Sequence, residues 1–205
     1  MAITSKTGHG PQDPRVVLVR HGETEWSRTG QHTGRTDIPL DQAGEYKAQL
    51  VGEVLSGFQF GLVLTSPLSR ARETARLAGF PDAETDDDLQ EWDYGAYEGL
   101  TSKEIVEQRG QSWTIWGSGV PGGESNEDVY RRARAVCDRV QAPLDAGERV
   151  LLFSHGHFLR ALAAVWLGLE VKDGALLALD TAAISVLGFE HGRRVIVSWN
   201  RVPGR

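Results

Sequence analysis

The sequence predicts an α/β protein: a three-layer α/β/α sandwich built on a mixed, mostly parallel sheet. Three observations lead there. Residues 16–19 and 150–153 are uninterrupted apolar runs, Val-Val-Leu-Val and Val-Leu-Leu-Phe, the pattern of strands covered on both faces. Segments of helical character behind polar N-caps alternate with such runs, which places helices on both sides of the sheet. The chain closes on two β-rich stretches joined by Glu190-His191-Gly192-Arg193, which reads as an antiparallel hairpin and makes the sheet mixed.

The elements follow in order. Residues 1–14 are polar and carry Gly8, Gly10, Pro11 and Pro14; they read as a disordered tail without the apolar stretch of a secretion signal. A strand over 16–19 leads into a Gly-, Thr- and Pro-containing loop over 22–40. Asp41 is placed to cap a helix running to about Ser56. The next strand covers 60–65. Ser66-Pro67 ends it, and 68–78 reads as a helix. Asp86-Asp87-Asp88 is a solvated turn, since it lacks the alternating spacing of a calcium loop. Residues 89–99, with Trp92, Tyr94 and Tyr97, are irregular, and Trp113 and Trp116 fall in a short helix or loop. Residues 120–124 turn, and Ser125 caps a helix to about Gln141. The strand over 150–153 precedes a helix over 158–167, and strands over 183–189 and 194–199 complete the chain.

With 205 residues, 40% hydrophobic and 24% charged, the chain suits one domain with a full core, here residues 15–205. No run approaches the roughly 20 apolar residues of a membrane span; the longest, over 159–169, is interrupted by Arg160 and Gly168. Net charge is −6, with no block of basic residues and no aromatic-basic interleaving, so neither a membrane nor a nucleic acid is an expected partner. A phosphate-bearing substrate would have to be drawn in by a local cluster of cations. The lone Cys137 cannot form an internal disulfide, reads as a small buried hydrophobe, and fits a cytoplasmic location. The terminal hairpin and the aromatic residues are compatible with a homodimer.

The chemistry concentrates where two strands end. Residues 16–19 run into Arg20-His21-Gly22-Glu23, and 150–153 into Ser154-His155-Gly156-His157. Open α/β sheets bind ligands at the carboxyl ends of their strands, so two imidazoles and an arginine are delivered to one place. Phosphoryl transfer through a phosphohistidine uses that combination. Two facing histidines can also hold a metal, but arginines in the same pocket repel a divalent cation. No metal and no cofactor are expected.

Taken together and in this order, Arg20-His21-Gly22-Glu23-Thr24-Glu25-Trp26, Thr33-Gly34 with Asp37 and Leu40, Ser66-Pro67-Leu68-Ser69-Arg70-Ala71 with Thr74-Ala75, Glu91-Trp92-Asp93-Tyr94-Gly95 with Glu98-Gly99, and Ser154-His155-Gly156 resemble the histidine phosphatase superfamily, also called phosphoglycerate mutase-like. The resemblance runs from about Arg15 to the terminal hairpin. It implies the phosphoglycerate mutase-like fold and a set of roles. His21 would be the nucleophile, with its other ring nitrogen held by a loop carbonyl. Arg20 and Arg70 would grip phosphate oxygens. His155, protonated, would be the fourth phosphate ligand. Glu91 would be the proton donor. Ser27, Thr33, Gly34, Trp92, Tyr94, Gly156 and His157 would line the phosphate or substrate mouth, with His32 as a further candidate. Glu23 is expected to orient an arginine, Glu98, Glu124 and Arg72 to be structural, and Arg131-Arg132 to be solvated.

Within that resemblance, phosphatase and mutase separate on three features. Position 27 is Ser and position 157 is His, where mutases usually carry Asn. The interval from Glu91 to His155 is short and lacks the long mutase insertion with its pair of substrate-gripping arginines. A shorter cap leaves the site open to water. Glu91-Trp92-Asp93-Tyr94-Gly95-Ala96-Tyr97-Glu98-Gly99 with Pro121-Gly122-Gly123-Glu124-Ser125 is similar to a subgroup holding actinobacterial acid phosphatases and fungal sedoheptulose-1,7-bisphosphatase. The expectation is a phosphomonoesterase acting on small sugar phosphates or related phosphorylated metabolites. The alternatives are a cofactor-dependent phosphoglycerate mutase and, more remotely, a non-catalytic phosphate-binding module, which is disfavoured because no catalytic position is missing.

Overall fold

The computed structural model describes residues 15–204; the expected N-terminal tail lies outside the described residues. In chain order the elements are β1 (Val16–Arg20), α1 (Glu25–Thr29), α2 (Gln42–Leu55), β2 (Leu62–Thr65), α3 (Ser69–Leu77), β3 (Glu84–Thr85), α4 (Ser102–Arg109), α5 (Ile115–Ser118), α6 (Asn126–Asp145), β4 (Val150–Ser154), α7 (Gly156–Trp166), β5 (Ile184–Glu190) and β6 (Arg193–Arg201). Among the described residues one six-stranded sheet forms, in the order β3-β2-β4-β1-β5-β6. Strands β3, β2, β4 and β1 are parallel neighbours; β5 and β6 run antiparallel.

The apolar runs are continuous because both faces of the central strands are covered. Val16 and Leu18 of β1, with Val150 and Leu152 of β4, belong to the core shared with α6 and α7, which supply Val136, Val140, Leu159 and Leu162. Val17 and Val19, with Leu151 and Phe153, point the other way, onto Val51 and Leu55 of α2 and Ala75 of α3. A period of two thus splits each run between two cores, and the sandwich has the expected three layers. No helix among the described residues is long and apolar enough to cross a membrane.

Several boundaries differ from the sequence-based expectation, each for a local reason. Helix α1 sits inside the expected 22–40 loop, started by a capping box between Thr24 and Ser27 and stopped by Gly30 in the left-handed region at φ 81°, the conformation that favours glycine. Helix α4 was not anticipated, although Thr101 and Glu104 form a reciprocal capping box. Helix α6 continues past Gln141 to Asp145 with Pro143 inside it; a proline in the last turn removes only one intrahelical donor. Helix α7 begins at Gly156, two residues before the expected start, which brings the second His-Gly motif onto its first turn.

Candidate active site

Strands β1 and β4 are parallel neighbours in a register that pairs Arg20 with Ser154. The next residue on each is a histidine. The His21 amide donates to the Ser154 carbonyl at 2.9 Å, so both side chains leave the sheet at one level, ring centroids 5.1 Å apart and tilted by 56°. Both are buried. The loop after β1 lies directly on the first turn of α2: a Cβ on Gly22 would come within 2.5 Å of the Gly44 carbonyl oxygen, and one on Gly44 within 2.1 Å of the Glu23 carbonyl oxygen. Gly22 is also fixed by its amide donating to Thr74 Oγ1 at 3.0 Å.

His21 donates from Nδ1 to the Gly22 carbonyl at 2.7 Å. That fixes the tautomer and leaves Nε2 with a free lone pair, as expected for a nucleophile. Burial, then the charges of Arg70 and Arg20, hold its pKa well below 6.5, against the opposing pull of the Gly22 carbonyl. His155 differs from expectation. Its Nδ1 accepts from Arg70 Nε at 3.2 Å, and its Nε2 meets Ser66 Oγ at 2.8 Å. A guanidinium N–H only donates, so the ring is neutral, with its proton on Nε2. Burial first, then Arg70, pushes its pKa well below 6.5. The expected protonated His155 is corrected on this point.

Arg70 is fully buried and donates to the carbonyls of Thr36 (3.0 Å), Thr33 (3.1 Å) and Gly34 (3.0 Å). Glu98 accepts from the amides of Gly34 and Thr36 at 2.8 and 3.0 Å. Arg70 and Glu98 therefore hold opposite polar groups of the 33–36 loop. Arg20 donates from one terminal nitrogen to the Leu179 carbonyl at 2.5 Å, while its buried Nε has no hydrogen-bond partner among the described residues. Its guanidinium lies flat against Gly156, where a Cβ would sit 3.1 Å from Cζ.

Glu91 caps α7 in place of a side chain from the N-cap, His155. Its Oε1 accepts from the amides of Trp92 and Phe158, both at 2.8 Å, and its Oε2 from the amide of His157 at 3.0 Å. A cavity of about 190 Å³ opens beside these groups. Arg20, His21, Glu91, Ser27, Thr33, Tyr94, Gly156, His157 and His32 line it. Arg70 and His155, expected to touch the phosphate, are fully buried and do not line the cavity. Gly34 is behind the wall, bound to Arg70 and Glu98. Trp92 does not reach the cavity: it is fully buried, and its indole N–H donates to the Glu124 carbonyl at 2.9 Å.

Other expectations change as well. Glu23 pairs with Lys47 at 3.1 Å rather than with an arginine. Arg131 is exposed and pairs with Asp128, but Arg132 is largely buried. It binds Glu124 through two nitrogens, donates to the carbonyls of Asp88 and Gln90, and covers the Phe158 ring. Gly30, Gln31, Arg160 and Leu179, which no motif marks, also line the cavity. Arg160 was detectable: it lies three residues after His157 on α7, on the same helical face. Gly95 and Gly123 explain why their two motifs occur together. A Cβ on Gly95 would meet the Pro121 carbonyl oxygen at 2.3 Å, and one on Gly123 the Asp93 carbonyl oxygen at 2.3 Å, so the 121–124 turn packs backbone to backbone under the Glu91 loop.

Two parallel strands presenting paired histidines, with Arg20 and Glu91 lining one cavity and Arg70 buried beside the histidines, define a class. The chain belongs to the histidine phosphatase superfamily (branch 1), whose family model matches residues 16–202, and it is a phosphatase of that superfamily. It is 41% identical over 187 residues to an acid phosphatase of Mycobacterium tuberculosis, covering 90% of this chain and 91% of that one. It is 37% identical over 188 residues to the sedoheptulose 1,7-bisphosphatase of Saccharomyces cerevisiae, covering 78% of this chain and 69% of that one. The solved structure of an open-reading-frame product from Mycobacterium tuberculosis superposes with a TM-score of 0.88 at 39% identity, covering 93% of this chain and 98% of that one. The family, the fold and the subgroup are those the motifs indicated.

Proposed function

We propose that this phosphatase hydrolyses small sugar phosphates or related phosphorylated metabolites through a phosphohistidine at His21, with residues 15–205 acting as one catalytic domain in the cytoplasm. The observation that carries this reading is the meeting, in one cavity, of the free His21 Nε2 lone pair, the Arg20 Nε–H, unpartnered among the described residues, and the Glu91 carboxyl group. In the first step Nε2 attacks phosphorus. The bond to the ester oxygen breaks, and that oxygen leaves with the electron pair and takes a proton from Glu91. In the second step water attacks the phosphoryl group and gives its proton to Glu91. The phosphorus–nitrogen bond breaks, its electrons return to Nε2, and orthophosphate leaves. Arg20 supplies a cationic donor to the equatorial oxygens, and buried Arg70, whose N–H groups are taken by His155 and the 33–36 carbonyls, adds positive charge beside His21, where positioning and electrostatics do most of the work in phosphoryl transfer. Neutral His155 lies against the His21 ring and holds Arg70 through Nδ1. Ser27, Thr33, Gly156 and His157 shape the mouth, and Gly34 supports it from behind.

Hydrolysis rather than isomerisation is supported by Arg131 and Arg132. One is solvent-exposed and the other is committed to Glu124 and two carbonyls, so among the described residues no adjacent arginine pair lines the cavity to grip a second sugar acid. The test is a panel of phosphorylated metabolites assayed for phosphate release, with 3-phosphoglycerate isomerisation measured in parallel. Release from sugar phosphates, lost in His21→Ala and retained in chelator-treated enzyme, is the expected result. Efficient isomerisation stimulated by 2,3-bisphosphoglycerate would replace this reading with that of a mutase.

A further inference from the structure

We infer that the hydrogen bond between Tyr94 and His157 is a positioning device that aims Glu91 at the leaving-group oxygen. The inference rests on the reading of Glu91 as proton donor and extends it to two side chains whose role there would be indirect.

The geometry is as follows. Glu91 and Tyr94 lie three residues apart on one irregular loop, and that loop is fastened to the first turn of α7 at both positions. At the first, the Glu91 carboxylate accepts from the amides of His157 and Phe158. At the second, the Tyr94 hydroxyl meets His157 Nδ1 at 2.6 Å. His157 is thus held twice by the loop, through its amide to Glu91 Oε2 and through its ring to Tyr94. The two oxygens of Glu91 are not equivalent. Oε1 takes two amide donors and Oε2 one, so Oε2 keeps the spare lone pair and is the oxygen for proton transfer. Its single partner is the residue that Tyr94 ties down.

The pair is built to stay in place. Tyr94 is 2% exposed, and its ring stacks on His32 at 4.8 Å. His157 is walled by Trp116 at 5.3 Å. Burial pushes the Tyr94 phenol well above its ordinary pKa and the His157 imidazole well below its own. Both are neutral across the working range. The hydroxyl and Nδ1 share one hydrogen bond. The bond therefore persists while neighbouring groups exchange protons. Neither side chain needs to touch the phosphoryl group for this role.

The experiment compares an alkyl phosphate, whose alkoxide leaving group needs a proton, with p-nitrophenyl phosphate, whose phenolate leaves without one. Tyr94→Phe keeps the ring and removes the hydroxyl. His157→Ala removes its partner, and His157→Asn restores one, because the asparagine amide can occupy nearly the place of Nδ1. Misplacement of a reacting group by an ångström can lower rates by roughly 10²-fold. Tyr94→Phe and His157→Ala should therefore lower kcat for the alkyl phosphate by about 10- to 100-fold more than kcat for the aryl phosphate. His157→Asn should recover most of the loss. Equal losses on both substrates, a change confined to KM, or no change would overturn the inference. Glu91→Gln is run alongside. If it shows the alkyl-selective loss and Tyr94→Phe does not, only the positioning role fails. If Glu91→Gln shows no selectivity, the proton-donor assignment fails and the positioning role falls with it.

Discussion

At the scale of single residues, the site is organised by burial and by donors that cannot reverse. His21 is neutral because water is excluded and two guanidinium groups stand beside it. Its tautomer is set by one carbonyl. This has a consequence for the pH profile. A histidine of ordinary pKa would lose its lone pair below about pH 6.5. With its pKa pushed well below that value, His21 keeps the lone pair into acid, so kcat/KM should hold below pH 6.5 and fall only when the depressed pKa is reached. A pH–rate profile on p-nitrophenyl phosphate reads this limb without involving leaving-group protonation. A descending limb centred at 6.5 or above would show that His21 is not held neutral as described. Arg20 gives a second prediction. Its Nε–H is a buried donor without a partner among the described residues, on a planar group laid against Gly156. Lysine has neither the plane nor that donor. Arg20→Lys should lower kcat by on the order of 10²-fold, the usual effect of losing an aligned transition-state donor. Steady-state kinetics together with an unchanged circular dichroism spectrum would separate this from misfolding.

At the scale of elements, legibility depended on whether the signal was local. Asp41 and Ser125 cap the helices expected of them, each accepting from an amide three residues on. The strands stood out because four apolar residues in a row have few other uses. Helix α4 was missed although its capping box is plain in Thr101 and Glu104, because only Ile105 of its eight residues is buried and the apolar stripe that marks a helix is nearly absent. At the site, the placing of His21, Arg20 and Glu91 around one cavity, with Arg70 and His155 buried near them, was legible from motifs. The partners of Glu23, Trp92 and Arg132, the protonation of His155 and the Tyr94–His157 bond were not, since each depends on which segments fold against one another. The glycines mark one such meeting. Gly22→Ala places a methyl group against a backbone carbonyl of α2, which cannot swing aside as a side chain could. Overpacking of this kind typically costs about 1–3 kcal/mol, and chemical denaturation should show a loss of that size. Wild-type stability in Gly22→Ala would mean that the loop after β1 does not sit on α2 as described.

At the scale of the whole molecule, one topological fact creates the site: β4 inserts between β1 and β2, so two motifs more than a hundred residues apart in sequence end in register, side by side. The same fact gathers His21, His155 and His157 at the ends of the central strands, with His32 of the loop after α1 stacked on Tyr94, and this ties stability to pH. His21, His32, His155 and His157 all have lowered pKa values, in each case chiefly through burial, with His32 brought down to about 4. In the unfolded chain each would take up a proton near pH 6.5. The native state resists doing so. Below 6.5 the unfolded state therefore binds more protons, and stability must fall as pH falls, by up to about 1.4 kcal/mol per pH unit for each such group. The carboxylates with lowered pKa values, Glu73, Glu104 and Asp128, act later: their contribution is present above their ordinary values, near 4, and is lost only below them. Asp88, whose pKa is raised by burial and by Asp86, works in the opposite sense, also in the carboxylate range. The interval from pH 6.5 to 5 consequently isolates the histidines. Urea unfolding at a series of pH values should give a plateau near neutrality and a steady decline across that interval, with a slope exceeding that of one proton. The buffers must be free of phosphate, because an anion bound in the cavity would stabilise the native state by mass action. A free energy of unfolding that stayed flat from pH 7 to 5 would require these histidines to titrate alike in the folded and unfolded chains, against the burial that lowers their pKa values in the native state.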